Sequence, residues 1–170
     1  MNALMTELTP YLGRICGSIA LDRGEDALQE TFIAVFRGLA RFRGDAKLST
    51  WIDRIAIRVV FHHLRANKRK PTLPIDVIGD VEGTGGTIEE QAHARDGLRR
   101  LYEALAELSP ESRAAFALFA IDGRSITEVA QLTQTSFVAA KCRIWRARRE
   151  IMKKAKVDPV LAELVKEDDQ

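Results

Sequence analysis

Residues 25–71, EDALQETFIAVFRGLARFRGDAKLSTWIDRIAIRVVFHHLRANKRKP, decide the fold. The run reads as two helices joined by a short charged loop. Leu28, Phe32, Val35, Phe36 and Leu39 recur at helical spacing and share one face, as an amphipathic helix requires. Asp26, Gln29 and Glu30 lie off that stripe and form an acidic, hydrogen-bonding edge. From RFRGDAKLSTW onward the ionic side chains turn positive. Between Arg37 and Lys70 ten Lys/Arg face two acids, Asp45 and Asp53, a local net of +8. Such a surface suits phosphate.

Thr50 followed by Asp53 spells a capping box, with Ser49 as a second candidate cap, so a helix is expected to open here. Ile52, Ile55, Ala56, Val59 and Val60 are its buried stripe. Arg54, Arg58, His62 and Arg65 share a different, basic face at spacings of three to four. Trp51 stands at the helix start, beside the loop.

The chain has 170 residues, enough for one ordinary domain or two small ones. Hydrophobic residues make up 46% and aromatic ones only 6%, so the core is expected to be aliphatic. The whole-chain charge of +2 hides a segregation. Lys141 to Lys156 carries eight basic residues against Glu150, a net of +7, so the two blocks total +15 and the rest sums to −13. Solvated helix faces would account for one such block. Two, each beside helix-turn signals, favour two contacts on one polyanion.

N-terminal to the deciding stretch, Leu4, Leu8, Leu12, Ile15 and Ile19 predict a helix over 3–21 that Pro10 should kink or delay. Gly13 and Gly17 form a small-xxx-small pair to which no function attaches. C-terminal to it, Pro71 and Pro74 close the first unit. PIDVIGDVEGTGGTIEE has five acids and no Lys or Arg, and reads as a flexible acidic linker. No Gly-Lys-Ser/Thr follows its glycines, which argues against a phosphate loop.

Leu98, Leu101, Leu105 and Leu108 then define a helix, and Ser109-Pro110 opens another that runs through Phe116 and Phe119 to Ile121. Asp122-Gly123 stops it. Ser125-Ile126-Thr127-Glu128 is a capping box for a short helix, and after Thr133-Gln134-Thr135 a longer basic helix runs from Ser136 to about Lys156. This is the helix-turn-helix layout, though an ordinary helical hairpin uses the same spacing. The second helix would enter the major groove, with Lys141, Cys142, Arg143 and Arg146 near base edges or phosphates. The acidic tail, 157–170, contains Val160, Leu161, Leu164 and Val165, one short amphipathic helix that either frays or docks a partner.

The expected fold is all-α: two small helical domains joined by a flexible acidic linker, with units at 1–70 and 93–156, the linker at 71–92 and the tail at 157–170. Cys16 and Cys142 offer neither metal spacing nor a disulfide framework, which points to a reducing, cytoplasmic setting. No signal layout or membrane-length apolar run is present, so no membrane insertion is expected. Nor is a cofactor. His62, His63 and His93 with scattered carboxylates match no catalytic motif, so an enzyme is disfavoured.

Two stretches resemble a known family. DALQETF…FRGDAKLSTWIDRIA…HHLR resembles the core-binding and promoter-melting domain of bacterial sigma factors of the extracytoplasmic-function (ECF) group. ALAELSPESRAAFALFAIDGRSITEVAQLTQTSFVAAKCRIWRARREI resembles their C-terminal helix-turn-helix domain. The resemblance covers most of the chain, in the right order. It implies a factor that binds core RNA polymerase at the clamp of the largest subunit, through Asp26, Gln29, Glu30 and Phe32, and also at the flap. Phe42, Arg43, Lys47, Ser49, Trp51, Arg54, Arg58, His62 and Arg65 would then open and grip the minus-ten element of promoter DNA. Ser136, Lys141, Cys142, Arg143, Arg146 and Arg148 would read the minus-thirty-five element. The resemblance also implies an anti-sigma factor as regulator. Gln134 and Val138 occupy positions where the family commonly has Gly, and Arg58, His62 and Trp145 stand where Asn, Asp and His are frequent. A stand-alone helix-turn-helix regulator is the competing reading; it would need neither the Asp26–Gln29–Phe32 edge nor the FRGD loop.

Overall fold

The computed structural model describes residues 2–66 and 87–166. Its helices are α1 (Asn2–Ala20), α2 (Gly24–Leu39), α3 (Leu48–Ala66), α4 (Ile88–Ala106), α5 (Pro110–Phe116), α6 (Ile126–Leu132), α7 (Phe137–Ala155) and α8 (Pro159–Lys166), with no strand among the described residues. The greater part of the expected linker lies outside the described residues. Residues 88–92, also assigned to it from sequence, form the first turn of α4. Thr87 caps that turn, its hydroxyl accepting from the Glu90 amide at 3.2 Å while the Glu90 carboxylate accepts from the Thr87 amide at 2.7 Å.

The first half is a three-helix unit, α1 to α3, around Leu12, Ile15, Ile19, Val35, Ile52, Ala56 and Val60. α1 runs continuously from Asn2 across Pro10, so its start is not delayed. Pro10 lies on the exposed side of the helix, and the Thr9 hydroxyl donates to the Met5 carbonyl at 2.7 Å. The Gly17 position has a structural use after all. A Cβ on Gly24 would sit 2.8 Å from the Gly17 Cα, so the backbones of α1 and α2 touch there, an approach open only to glycine.

In the second half, α5 continues as a π-turn over Ala117–Ile121 rather than as plain α-helix. The Asp122 amide donates to Ala117 O at 3.0 Å and the Arg124 amide to Leu118 O at 2.9 Å. Ser125 caps α6 with the expected box, its hydroxyl accepting from the Glu128 amide at 3.3 Å. Between α6 and α7, Gln134 takes φ 52° and Thr135 N donates to Ala130 O at 2.9 Å. A left-handed residue is therefore required in the turn although the sequence supplies no glycine.

The tail helix α8 docks on its own chain, against α4 and α7. Leu161 is buried in the cluster with Leu105, Phe116 and Ile151. Asp158 caps α8, accepting from the Val160 and Leu161 amides at 3.2 Å, and pairs with Arg100 at 2.7 Å.

The two halves are in contact. One apolar core contains Leu12, Ile15 and Ile19 of α1 together with Ala114, Ala115, Ala117 and Leu118 of α5 and its π-turn. Leu21, in the 3-10 turn after α1, is fully buried in the cluster of the second half at φ 56°.

Two outcomes test this packing. Gln134→Gly should raise stability by roughly 0.5–1 kcal/mol, because relief of left-handed strain exceeds glycine's added chain entropy; urea unfolding measures it, and a loss would refute the assigned turn. Hydrogen bonding from Arg100 holds the Asp158 carboxyl below its ordinary 3.8, so its contribution is complete above that pH and is lost as pH falls through the lower native value. Asp158→Ala at neutral pH should speed amide exchange in α8 while leaving α1 to α3 protected; unchanged exchange in α8 would show that the cap and ion pair do not hold it.

Candidate nucleic-acid interface

Three exposed surfaces are built from these helices. On α3 the buried stripe and the basic face separate as periodicity demands. Ile52, Ile55, Ala56, Val59 and Val60 are interior, while Arg54, Arg58, His62 and Arg65 are exposed. His63 points the other way and its Nε2 lies 2.6 Å from Glu30 Oε2, tying α3 to α2. The capping box spelled by Thr50 and Asp53 does not form. α3 begins at Leu48, and Asp53, with 1% exposure, is turned into the interior. The reason is electrostatic: its carboxylate accepts from the Tyr11 hydroxyl at 2.5 Å and from Arg124 Nη2 at 3.0 Å.

The loop before α3 carries exposed Arg43 and Lys47 and turns at Gly44, where φ is 78°. Phe42 and Trp51 are half-buried against each other, ring centroids 5.2 Å apart and planes tilted by 49°. The indole also lies on α2 at Gly38, where an added Cβ would meet its ring carbons at 2.8 and 3.0 Å. The aromatic platform is thus a partly enclosed pair with one side toward solvent. Ser49 is exposed in the first turn of α3.

On α2, Asp26, Gln29 and Glu30 are exposed, but Phe32 is 8% exposed and stacks on Phe36 at 6.5 Å. Phe32 therefore packs the core and does not share the acidic edge. Ile33, 50% exposed, does, three and four residues after Glu30 and Gln29. Sequence reasoning missed it, although its spacing from Gln29 and Glu30 was the available signal.

On α7, Lys141, Cys142, Arg146 and Arg148 are exposed and Arg143 is half-buried. Ser136 caps the helix by accepting from the Ala139 amide at 3.2 Å. Phe137, Val138 and Trp145 add exposed apolar area, and the Arg149 guanidinium lies 5.1 Å from the Trp145 ring centroid. Among the described residues no three His, Cys, Asp or Glu side chains are placed to hold a metal ion, and no helix is long and apolar enough to cross a membrane.

A helix-turn-helix with a cationic second helix, joined to a helical unit bearing a second cationic face and an aromatic pair, is the layout of a nucleic-acid-binding protein. The family model of Sigma-70 region 2 matches residues 4–70, and that of Sigma-70, region 4 matches residues 98–151. The RNA polymerase sigma-H factor of Pseudomonas aeruginosa is 33% identical over 147 residues, 82% of this chain and 75% of that one. The ECF RNA polymerase sigma-E factor of Escherichia coli K12 is 33% identical over 145 residues, 80% and 74% of the two chains. Two solved structures share the fold. CnrH in complex with the cytosolic domain of CnrY has a TM-score of 0.66 at 24% identity, covering 92% of this chain and 88% of that chain. The sigma factor RpoE in complex with the anti-sigma factor NepR from Bartonella quintana has a TM-score of 0.65 at 21% identity, covering 92% and 97%. The chain belongs to the ECF sigma factors of the sigma-70 family.

The seat of Trp51 generates a test. Gly38→Ala should displace the indole, cost roughly 1–3 kcal/mol by overpacking and shift Trp51 fluorescence in a Trp145→Phe background. Unchanged stability and emission would mean that the ring does not rest on α2.

Proposed function

We propose that this chain is an alternative sigma factor. It binds core RNA polymerase, recognises minus-thirty-five and minus-ten promoter elements, and melts DNA to start transcription. The observation that carries the reading is the pairing, on one half, of an exposed acidic edge with a basic surface that bears an aromatic pair.

The α2 edge of Asp26, Gln29, Glu30 and Ile33 is the polymerase contact. Its carboxylates and amide suit a basic partner surface, and Ile33 adds an apolar centre that excludes water. The expectation for Phe32 becomes a packing role beneath that edge. Arg43, Lys47, Arg54, Arg58, His62 and Arg65 hold the backbone of the opened strand, with Ser49 at the helix start. Phe42 and Trp51 offer a ring face to an unstacked base. Base–aromatic stacking is worth about 1–3 kcal/mol per base and tolerates any sequence, which suits strand capture. In the other half Ser136, Lys141, Cys142, Arg143, Arg146 and Arg148 are the minus-thirty-five readers, since the first turns of a recognition helix reach base edges.

Control by an anti-sigma factor belongs to the same proposal. It is supported by the two fold neighbours, each of which is a complex, one of them with a protein called an anti-sigma factor.

The deciding experiment is capture of bacterial core polymerase by the purified chain, with Gln29→Ala and Ile33→Ala beside the wild type and Phe32→Leu as a packing control. Core should bind the wild type and the control and lose affinity for both edge variants. A wild type that ignores core yet binds a DNA site alone sinks the initiation-factor reading and leaves a stand-alone regulator.

A further inference from the structure

Val138 and Trp145, on the outer side of α7, have no part in the contacts assigned so far. Ala140, Ile144, Ala147 and Ile151 carry the buried side of that helix. Val138, Cys142 and Trp145 recur on the opposite side at spacings of four and three. Val138 is 68% exposed and Trp145 59%, and Cys142 between them is exposed as well. Residues 138 and 145 are two turns apart, so their side chains point the same way along roughly 10 Å of helix. Single apolar residues on a surface need no explanation, but a contiguous stripe does.

Its surroundings say what it meets. Lys141, Arg146, Arg149 and Lys153 flank the stripe, and all are exposed. The acid of α7, Glu150, is half-buried and pairs with Arg149 at 3.5 Å. The Arg149 guanidinium also lies 5.1 Å from the Trp145 ring centroid, a cation–π contact that holds the ring in place. The centre of a protein-docking surface is depleted of lysine and other charges. An apolar stripe framed by cations is instead complementary to a groove walled by phosphates. Val138 is the second residue after the Ser136 cap, and the first turns of a recognition helix are those that reach base edges.

We propose that Val138 and Trp145 read the C5-methyl groups of thymines in the major groove, and so set the base preference of the minus-thirty-five contact. This rests on the initiation-factor reading and adds the chemistry by which the bases are chosen. In the major groove the thymine methyl is the apolar group that a base edge presents. An apolar side chain pressed on any other edge would strip water from a donor or acceptor without replacing its hydrogen bond. The stripe is as long as roughly three base pairs at 3.4 Å each, so its two ends address different bases. Val138 stands where the family commonly has Gly, so the contact it offers is this chain's own.

The test reconstitutes the full chain with core polymerase and selects promoter duplexes randomised only in the minus-thirty-five region. Each thymine that selection enriches is then replaced by deoxyuridine, which removes the methyl and leaves the pairing intact. The wild type should enrich thymine and bind about fourfold more weakly for each methyl removed. Val138→Ala and Trp145→Ala should each bring the ratio between thymine and deoxyuridine templates close to one at one position, with helicity and affinity for core retained. A wild type indifferent to deoxyuridine overturns the proposal, as do variants that keep the wild-type ratio. Variants that keep the ratio and lose core instead show the stripe to be a protein-docking surface, which overturns it equally. If the wild type fails to bind core, the initiation-factor reading fails. The same two templates offered to the chain alone then decide the methyl contact: discrimination supports it, and equal binding or none overturns it.

Discussion

Everything in this molecule is arranged about the two-sided burial of α1. Leu12, Ile15, Cys16 and Ile19 have next to no exposure because α2 and α3 cover one side of the helix and α5 the other. Burial of aliphatic side chains stabilises at about 25 cal/mol per Å², and a small three-helix unit has few places to gain it. The contact with α5 extends that core beyond what the first half supplies alone. The same burial pushes the Cys16 thiol up to about 11, which keeps it inert. It also explains Gly17 and Gly24: helices that share so much apolar surface must approach until their backbones touch.

The charges follow from that frame. With apolar stripes turned to a common interior, the ionic side chains of α2, α3 and α7 are left outside. Acids dominate the outer face of the first half of α2, and bases the outer faces of α3 and α7. The His63–Glu30 pair fixes the angle between the acidic and basic faces of the first half. The acidic face of α2 and the basic face of α3 are thereby tied together within the first half. The second half has its own brace in α8, whose docking through Leu161 and Asp158 stiffens α4 against α7.

Among the described residues, Asp53 and Arg113 are the charged side chains that go inside, and Asp53 is paired. Burial raises the pKa of Asp53, and the Tyr11 hydrogen bond and the Arg124 charge act against that rise. For Arg124, burial alone would lower the pKa, but hydrogen bonding with Asp122 and the charges of Asp53 and Tyr11 outweigh it. Removing one partner of such a buried pair is costly, because it leaves the other charge uncompensated. Arg113 has only the charge of the Asp22 carboxylate acting against its burial, and its Nε and Nη1 lack hydrogen-bond partners.

Local signals were legible in the sequence. The Ser125–Glu128 box, the Ser109–Pro110 start and the stop at Gly123 stand where they were expected, because each is settled by residues within one turn of one another. Amphipathic periodicity likewise separated the buried and basic faces of α3. The Thr50–Asp53 pair has equally good spelling and fails, because Asp53 is claimed by Tyr11, 42 residues away, and by Arg124, 71 away. Phe32 is buried as the apolar stripe of α2 requires, and its packing removes it from the exposed edge to which the resemblance assigned it, leaving Ile33 there instead. So the sequence by itself determined the helices, their charged faces and the family. The tertiary structure alone decided that the two halves share a core and a buried charge cluster, since long-range pairing of buried charges leaves no periodic trace in the chain.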